Sequence, residues 1–157
     1  MAMFMPQLRD AIMPIHDQAE KHGPLSEIPE KTLTLDNYAK LLGRLYGFVY
    51  ASELSMEPLL ANYGFDLEWP KRKRAGHLLK DLIFLGQSRM VVDALPKCQD
   101  VSGIKTAPQA LGTLYLFEGS RLGGLVLSKS LREHFGFQNF EGYAYFGSNG
   151  AEVVPMW

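Results

Sequence analysis

Thr106-Ala107-Pro108-Gln109 opens, and Gly119-Ser120-Arg121-Leu122-Gly123-Gly124 punctuates, the stretch of this 157-residue chain whose reading decides its fold. Thr106 is placed to cap the amide three residues on while Gln109 reaches back, and Pro108 sits where a missing N–H costs nothing. The helix that these signals start is predicted to run to about Phe135, with Gly136 ending it. Gly112, Gly119, Gly123 and Gly124 all fall inside it. At about 1 kcal/mol each relative to alanine, they cost the helix on the order of 4 kcal/mol. Positions 112, 119 and 123 share one helical face, which is thereby stripped of β-carbons. Either another helix crosses closely there, or something flat and bulky lies directly on the backbone. A phosphate loop is disfavoured, because no Gly-Lys-Ser/Thr ending follows and no strand precedes.

The rest of the chain keeps a helical period. Leu8, Ile12, Ile15 and Ala19 mark an amphipathic helix to about Lys21, with Pro14 placed to kink it and His22, Gly23 and Pro24 to end it. A polar link, 26–34, leads to Asp36, the expected N-cap of a second helix carrying Tyr38, Leu41, Leu42, Leu45, Tyr46, Val49, Tyr50 and Glu53. Pro58 is expected to interrupt that helix, and 62–70 to form a loop containing Trp69. A third helix is predicted over 72–85 with Gly86 as its stop, and a short piece over 88–95. Residues 137–157, rich in glycine and aromatics, have no clear period. No strand pair and no repeat stands out, so the class is all-α and the chain reads as a single domain over 1–157.

Composition narrows the function. Hydrophobic residues are 46% and charged residues 21%, which excludes wholesale disorder. Sixteen Lys and Arg against 17 Asp and Glu give a formal charge of -1, against a general binder of nucleic acid or anionic membranes. Cys98 is the single cysteine, so no intramolecular disulfide and no Cys-rich zinc site forms. No apolar run reaches the length of a membrane span. Residues 1–5 lack the basic lead-in and cleavage site of a signal peptide, and a cytoplasmic location is expected.

On the first helix, His16 has Glu20 four residues later and Arg9 seven earlier, all on one face. An imidazole oriented by a carboxylate one turn away suits a metal ligand, and a cation on the same stripe suits an anionic ligand tail. The same spacing also fits a surface histidine in a charge-laced helix. The basic run Lys71-Arg72-Lys73-Arg74 reads as a solvated face. His77 and Asp81 have i, i+4 spacing without a second ligand pair, and His134 suits the C-terminal end of its helix.

Taken together, three segments resemble the heme oxygenase family in its bacterial, biliverdin-forming type. Leu8-Arg9-Asp10-Ala11 with His16 and Glu20 resembles the proximal helix. Tyr38-Ala39-Lys40-Leu41-Leu42 through Tyr46-Gly47-Phe48 to Glu53 resembles the second helix. Leu111-Gly112 through Tyr115-Leu116-Phe117-Glu118 to Gly119-Ser120-Arg121-Leu122-Gly123-Gly124 resembles the distal helix that kinks over the heme face, and Gly142-Tyr143-Ala144-Tyr145-Phe146 the aromatic segment that follows. The resemblance implies a multi-helix bundle that holds heme as both cofactor and substrate. O2 and an external electron donor, a reductase or ferredoxin, are consumed, and biliverdin, carbon monoxide and ferrous iron are released. It implies His16 as the axial iron ligand, Glu20 orienting it and Arg9 near the propionates. Gly119, Gly123 and Gly124 would let the distal backbone approach the heme, with Ser120 beside them.

Two departures carry consequences. Many members have an aspartate where this chain has Ser120, a weaker acceptor for distal waters, and Arg121 beside it is expected to point to solvent. Members also continue into further helices, which this sequence, stopping at Trp157, is expected to lack. The expectation is therefore a truncated domain with an exposed apolar patch, through which a homodimer is plausible. The rival readings are a heme carrier of the same fold, a non-heme iron oxidase built on His16, Glu20, Glu53, His77, Asp81 and Glu118, and an interaction module using the basic run.

Overall fold

The computed structural model describes residues 4–21, 23–61 and 67–147, without the side chains of residues 4, 5 and 20. No strand occurs among the described residues, and the expected all-α class holds. Helix α1, Phe4–Lys21, continues through Pro14. His22, expected to help end it, lies outside the described residues. Gly23 takes φ of +75° and Pro24 opens α2, Pro24–Glu30.

The expected polar link over 26–34 is thus mostly helix. Its few apolar residues are spaced too irregularly to show a period, yet Ile28 and Leu33 are both buried against the long helices. Helix α3, Leu35–Ala61, starts one residue before Asp36. The Thr34 hydroxyl, not Asp36, accepts the amide of Asn37 at 3.2 Å, and Asp36 pairs with Lys40 at 2.6 Å. Nor does Pro58 interrupt α3, which runs on to Ala61. The carbonyl that Pro58 leaves without an amide belongs to Leu54, an exposed residue, so water can serve it.

The third helix, α5, covers Ala75–Phe84 and starts three residues later than expected, while Trp69, expected in a loop, opens a separate short helix α4, Trp69–Arg72, with Lys73 and Arg74 between the two. Helix α6, Arg89–Asp93, is capped by Ser88, and a 3-10 turn at Asp100–Gly103 leads to α7, Ala107–Phe135. At the start of α7 Gln109 Oε1 accepts the amides of Lys105 and Thr106 at 3.0 and 3.1 Å, and Gly136, at φ +71°, ends the helix. A last turn, α8, covers Ala144–Gly147.

Helix α3 packs against α5 and α7, and α8 closes over α5 and α7, while α1 rests on α2. The main core joins Tyr38, Leu42, Tyr46 and Val49 of α3 to Leu78 and Leu82 of α5 and to Leu131 of α7. Gly47 lets the chain after α6 cross α3 closely. A β-carbon there would stand 2.2 Å from the Pro96 carbonyl oxygen, and the Cys98 amide donates to the Gly47 carbonyl at 3.2 Å. No helix among the described residues is long and apolar enough to cross a membrane.

Candidate functional site

A cavity of about 700 Å³ opens between α1 and α7, with α2, the start of α5 and α8 completing its wall. Its volume lies within the range of ligand pockets, roughly 300–1,000 Å³. His16 and Ala19 line it from α1, and Gly119, Ser120, Gly123 and Gly124 line it from α7. Two features about a hundred residues apart in the chain, the lone histidine and the glycine run, therefore face one space. Leu25, Leu45, Phe117 and Leu127 make much of the remaining wall apolar.

The glycines divide the two readings of their stripe. A β-carbon on Gly124 would meet the Phe146 carbonyl oxygen at 3.4 Å, so Gly124 serves the close approach of α8 to α7. A β-carbon on Gly112 or Gly123 would meet nothing within 4 Å among the described residues. At Gly123, that open space is the cavity.

The remaining candidates fall as follows. Arg9 is exposed on α1 and does not line the cavity. Glu20 lies in α1, but its side chain is outside the described residues. The carboxylate described nearest His16 is that of Asp17, with Oδ1 at 3.9 Å from Nδ1, beyond hydrogen-bond reach. The Ser120 hydroxyl donates to the Phe117 carbonyl at 2.8 Å, leaving its lone pairs for other donors.

Arg121 contradicts its expected direction. It is buried, lines the cavity and donates to Glu118 Oε2 at 2.7 Å. Glu118 Oε1 takes Arg72 at 3.1 Å, so two residues of the supposedly solvated basic run and its surroundings are drawn inward. Arg74 is also buried and reaches the same wall. The physical reason is the break between α4 and α5, which turns Arg72 and Arg74 toward α7 rather than leaving them on an outer helix face. Lys71 remains exposed and pairs with Glu68, as a solvated face would.

Two buried carboxylates hold this wall together. The Glu53 carboxylate of α3 accepts the amides of Arg74 and Ala75, satisfying the start of α5. Asp81 of α5 accepts the amides of Ala144 and Tyr145, both at 2.8 Å, and so fixes α8, whose Tyr145 and Phe146 line the cavity. Burial pushes both carboxyls up, Asp81 to about 6, against the pull of those amides and nearby cations. His77 is pushed down to about 4, first by burial and then by the charges of Arg74, Lys80 and Arg121. The signal available in the sequence was the i, i+3/i+4 stripe, on which Glu53 follows Tyr46, Val49 and Tyr50, and Asp81 falls beside Leu78 and Leu82.

The set required by a non-heme iron oxidase does not assemble: no group of three or more His, Cys, Asp or Glu able to hold a metal occurs among the described residues. Instead, one histidine faces glycine backbone across an apolar space, an arrangement that fits a planar macrocycle with one axial ligand. The family model described as heme oxygenase matches residues 2–152. No curated protein and no solved structure matches the chain significantly. A match over nearly the whole length, on an all-helical fold with this cavity, places the chain in the heme oxygenase family.

Proposed function

We propose that this chain cleaves heme with O2 and reducing equivalents to biliverdin, carbon monoxide and ferrous iron, as the bacterial biliverdin-forming type does. The observation that carries the reading is the cavity itself, with His16 on one wall and Gly119, Ser120, Gly123 and Gly124 on the other. Bound heme supplies the iron that activates O2 and is also the substrate. The side chains of this protein do the rest. His16 would hold the heme iron through one ring nitrogen, and Glu20 would orient the imidazole through the other. Gly123 leaves open a space that a side chain would enter, and Gly119 lines the same cavity, so the backbone there would limit which edge of the ligand is reached. Ser120 accepts hydrogen bonds from water in that space, and Arg9 is the cation assigned to the propionates.

Electrons come from a reductase or ferredoxin, in a cytoplasmic setting, and a homodimer belongs to the same reading. The test is a hemin titration followed by absorption on wild type and His16→Ala, then addition of reductant in air. A saturable Soret band that shifts in the variant and gives way to biliverdin absorbance is expected. A Soret band that persists under reductant and O2 would reduce the protein to a heme carrier. No band from the folded chain would remove the reading altogether.

A further inference from the structure

A groove of about 430 Å³ lies between α3, the α4–α5 segment and Arg89 of α6, and it shares no lining residue with the cavity between α1 and α7. Its size is within the range of small-molecule sites. The α3 wall carries Tyr46 and Tyr50, whose rings stack with centroids 5.5 Å apart, and Leu54, which is left 55% exposed. Leu79 of α5 lines the groove as well. Two polar side chains reach it from the interior. Tyr46 is 3% exposed and Glu53 7%, yet each keeps an oxygen without a hydrogen-bond partner among the described residues. Glu53 Oε1 takes the amides of both Arg74 and Ala75, which leaves Oε2 unbonded there, and the Tyr46 hydroxyl neither gives nor takes a bond. Neither oxygen is sealed from solvent, so both open into the groove.

The charges around them are already matched. Lys73 pairs with Glu57 at 2.5 Å and Arg89 with Asp93 at 2.8 Å, while Lys80 is exposed to water. The Glu53 carboxylate lies in the fields of Lys73 and Arg74, and His77, pushed down to about 4, adds no charge near pH 7. What the groove lacks is therefore a partner for two inward oxygens and cover for apolar surface, not a counter-ion. We propose that this groove binds an uncharged aromatic molecule carrying an O–H or N–H donor. The donor is given to Glu53 Oε2, and the ring lies against Tyr46, Tyr50, Leu54 and Leu79. A hydrogen bond to a carboxylate is stronger than one between neutral groups, and the ring gains from burial against other rings. A cation would meet Lys73, Lys80 and Arg89, and an anion would meet Glu53 and Glu57, so both are disfavoured against the neutral ligand. Gly76 leaves the room: a β-carbon there would meet nothing within 4 Å among the described residues.

The test titrates the ligand-free chain with para-fluorophenol, followed by fluorine NMR. A saturable shift is expected, and para-fluoroanisole, which has the same ring without the donor, should bind about tenfold more weakly. The para-fluorobenzylammonium and para-fluorobenzoate ions should also bind more weakly than the phenol. Glu53→Gln replaces the charged acceptor by an amide and should weaken the phenol by about tenfold. Gly76→Leu fills the groove from an open position and should abolish saturation, whereas Gly123→Leu, which fills the other cavity, should leave phenol binding unchanged. No saturable shift, equal binding of the anisole, or tighter binding of either ion overturns the proposal. So does unchanged binding by Glu53→Gln or by Gly76→Leu, or loss of binding in a folded Gly123→Leu. Should Glu53→Gln not fold, the anisole comparison and Gly76→Leu decide alone. Heme enters no step of this test, so it and the reading of the cavity fail separately.

Discussion

Glu118 and Arg121, three residues apart on α7, form a 2.7 Å ion pair with both side chains buried, and Arg72 reaches the other Glu118 oxygen from α4. Through Arg72 the pair ties α7 to the segment that introduces α5. It adds a buried charged cluster beside a cavity wall that is otherwise largely apolar. Buried pairs of this kind are weak evidence of stability gained, but they are costly to break from one side.

Glu118→Gln should therefore destabilise the protein by about 3–5 kcal/mol, because it leaves Arg72 and Arg121 without their shared carboxylate. Replacing both Glu118 and Arg121 by leucine and methionine should cost less than the single change. Urea unfolding of the three proteins checks this. A loss within error of zero for Glu118→Gln would mean that the pair is solvated.

Asp81 should make stability depend on pH in a sense opposite to a salt-bridged carboxylate. Its native pKa of about 6 lies above the ordinary value of 3.8, so the native state holds the proton more tightly than the unfolded chain. The contribution is fully present below the ordinary value and is lost as pH rises toward and through 6, by about 3 kcal/mol in all. Unfolding free energies of wild type minus Asp81→Asn should fall between pH 4 and 6.5 and level off above. A difference that is flat or rises over that window would place the Asp81 carboxylate in water.

His77 should be neutral at pH 7 and titrate with a midpoint near 4. Following its ring protons by NMR across pH 3–8 measures this directly. A depressed histidine adds stability as pH rises through that range, because the unfolded chain takes the proton first. A midpoint at the unperturbed value would show that neither burial nor the arginines act on the ring.

Glycine substitutions should separate stability from binding. Gly123→Ala places a methyl in open space and removes a helix-interior glycine, so the ligand-free protein should gain up to about 1 kcal/mol. The same methyl enters the cavity, and hemin should bind less tightly. Gly47→Ala must drive its methyl into the Pro96 carbonyl and should instead lower the thermal midpoint sharply. Calorimetry with and without hemin checks both. Tighter hemin binding by Gly123→Ala would mean that the glycine faces away from the ligand.

Much of this architecture was legible along the chain. The α7 boundaries follow from Thr106, Gln109 and Gly136, because caps and stops depend on residues only a few positions apart. The α3 stripe from Tyr38 to Glu53 showed itself for a similar reason, since a helix that buries one face repeats its apolar residues at a helical spacing. His16 and the glycine run were visible as oddities, and five of the seven candidate site residues line the cavity: His16, Gly119, Ser120, Gly123 and Gly124. Arg9 does not line it, and Glu20 has no described side chain. The errors share a cause. Pro58 continuing a helix, α2 forming from a polar stretch, and Arg74 and Arg121 turning inward all depend on what other segments cover.

The sequence by itself determined that the chain is helical, where its longest helix begins and ends, and that one face of that helix lacks β-carbons. Those properties are set by backbone sterics and by hydrogen bonds within a turn or two. Only the tertiary structure decided that His16 and Gly123 face one cavity, that Glu118 is shared by Arg72 and Arg121, and that Arg74 is buried. Burial and electrostatic partnership belong to the space between helices, and residues far apart in the chain create that space together.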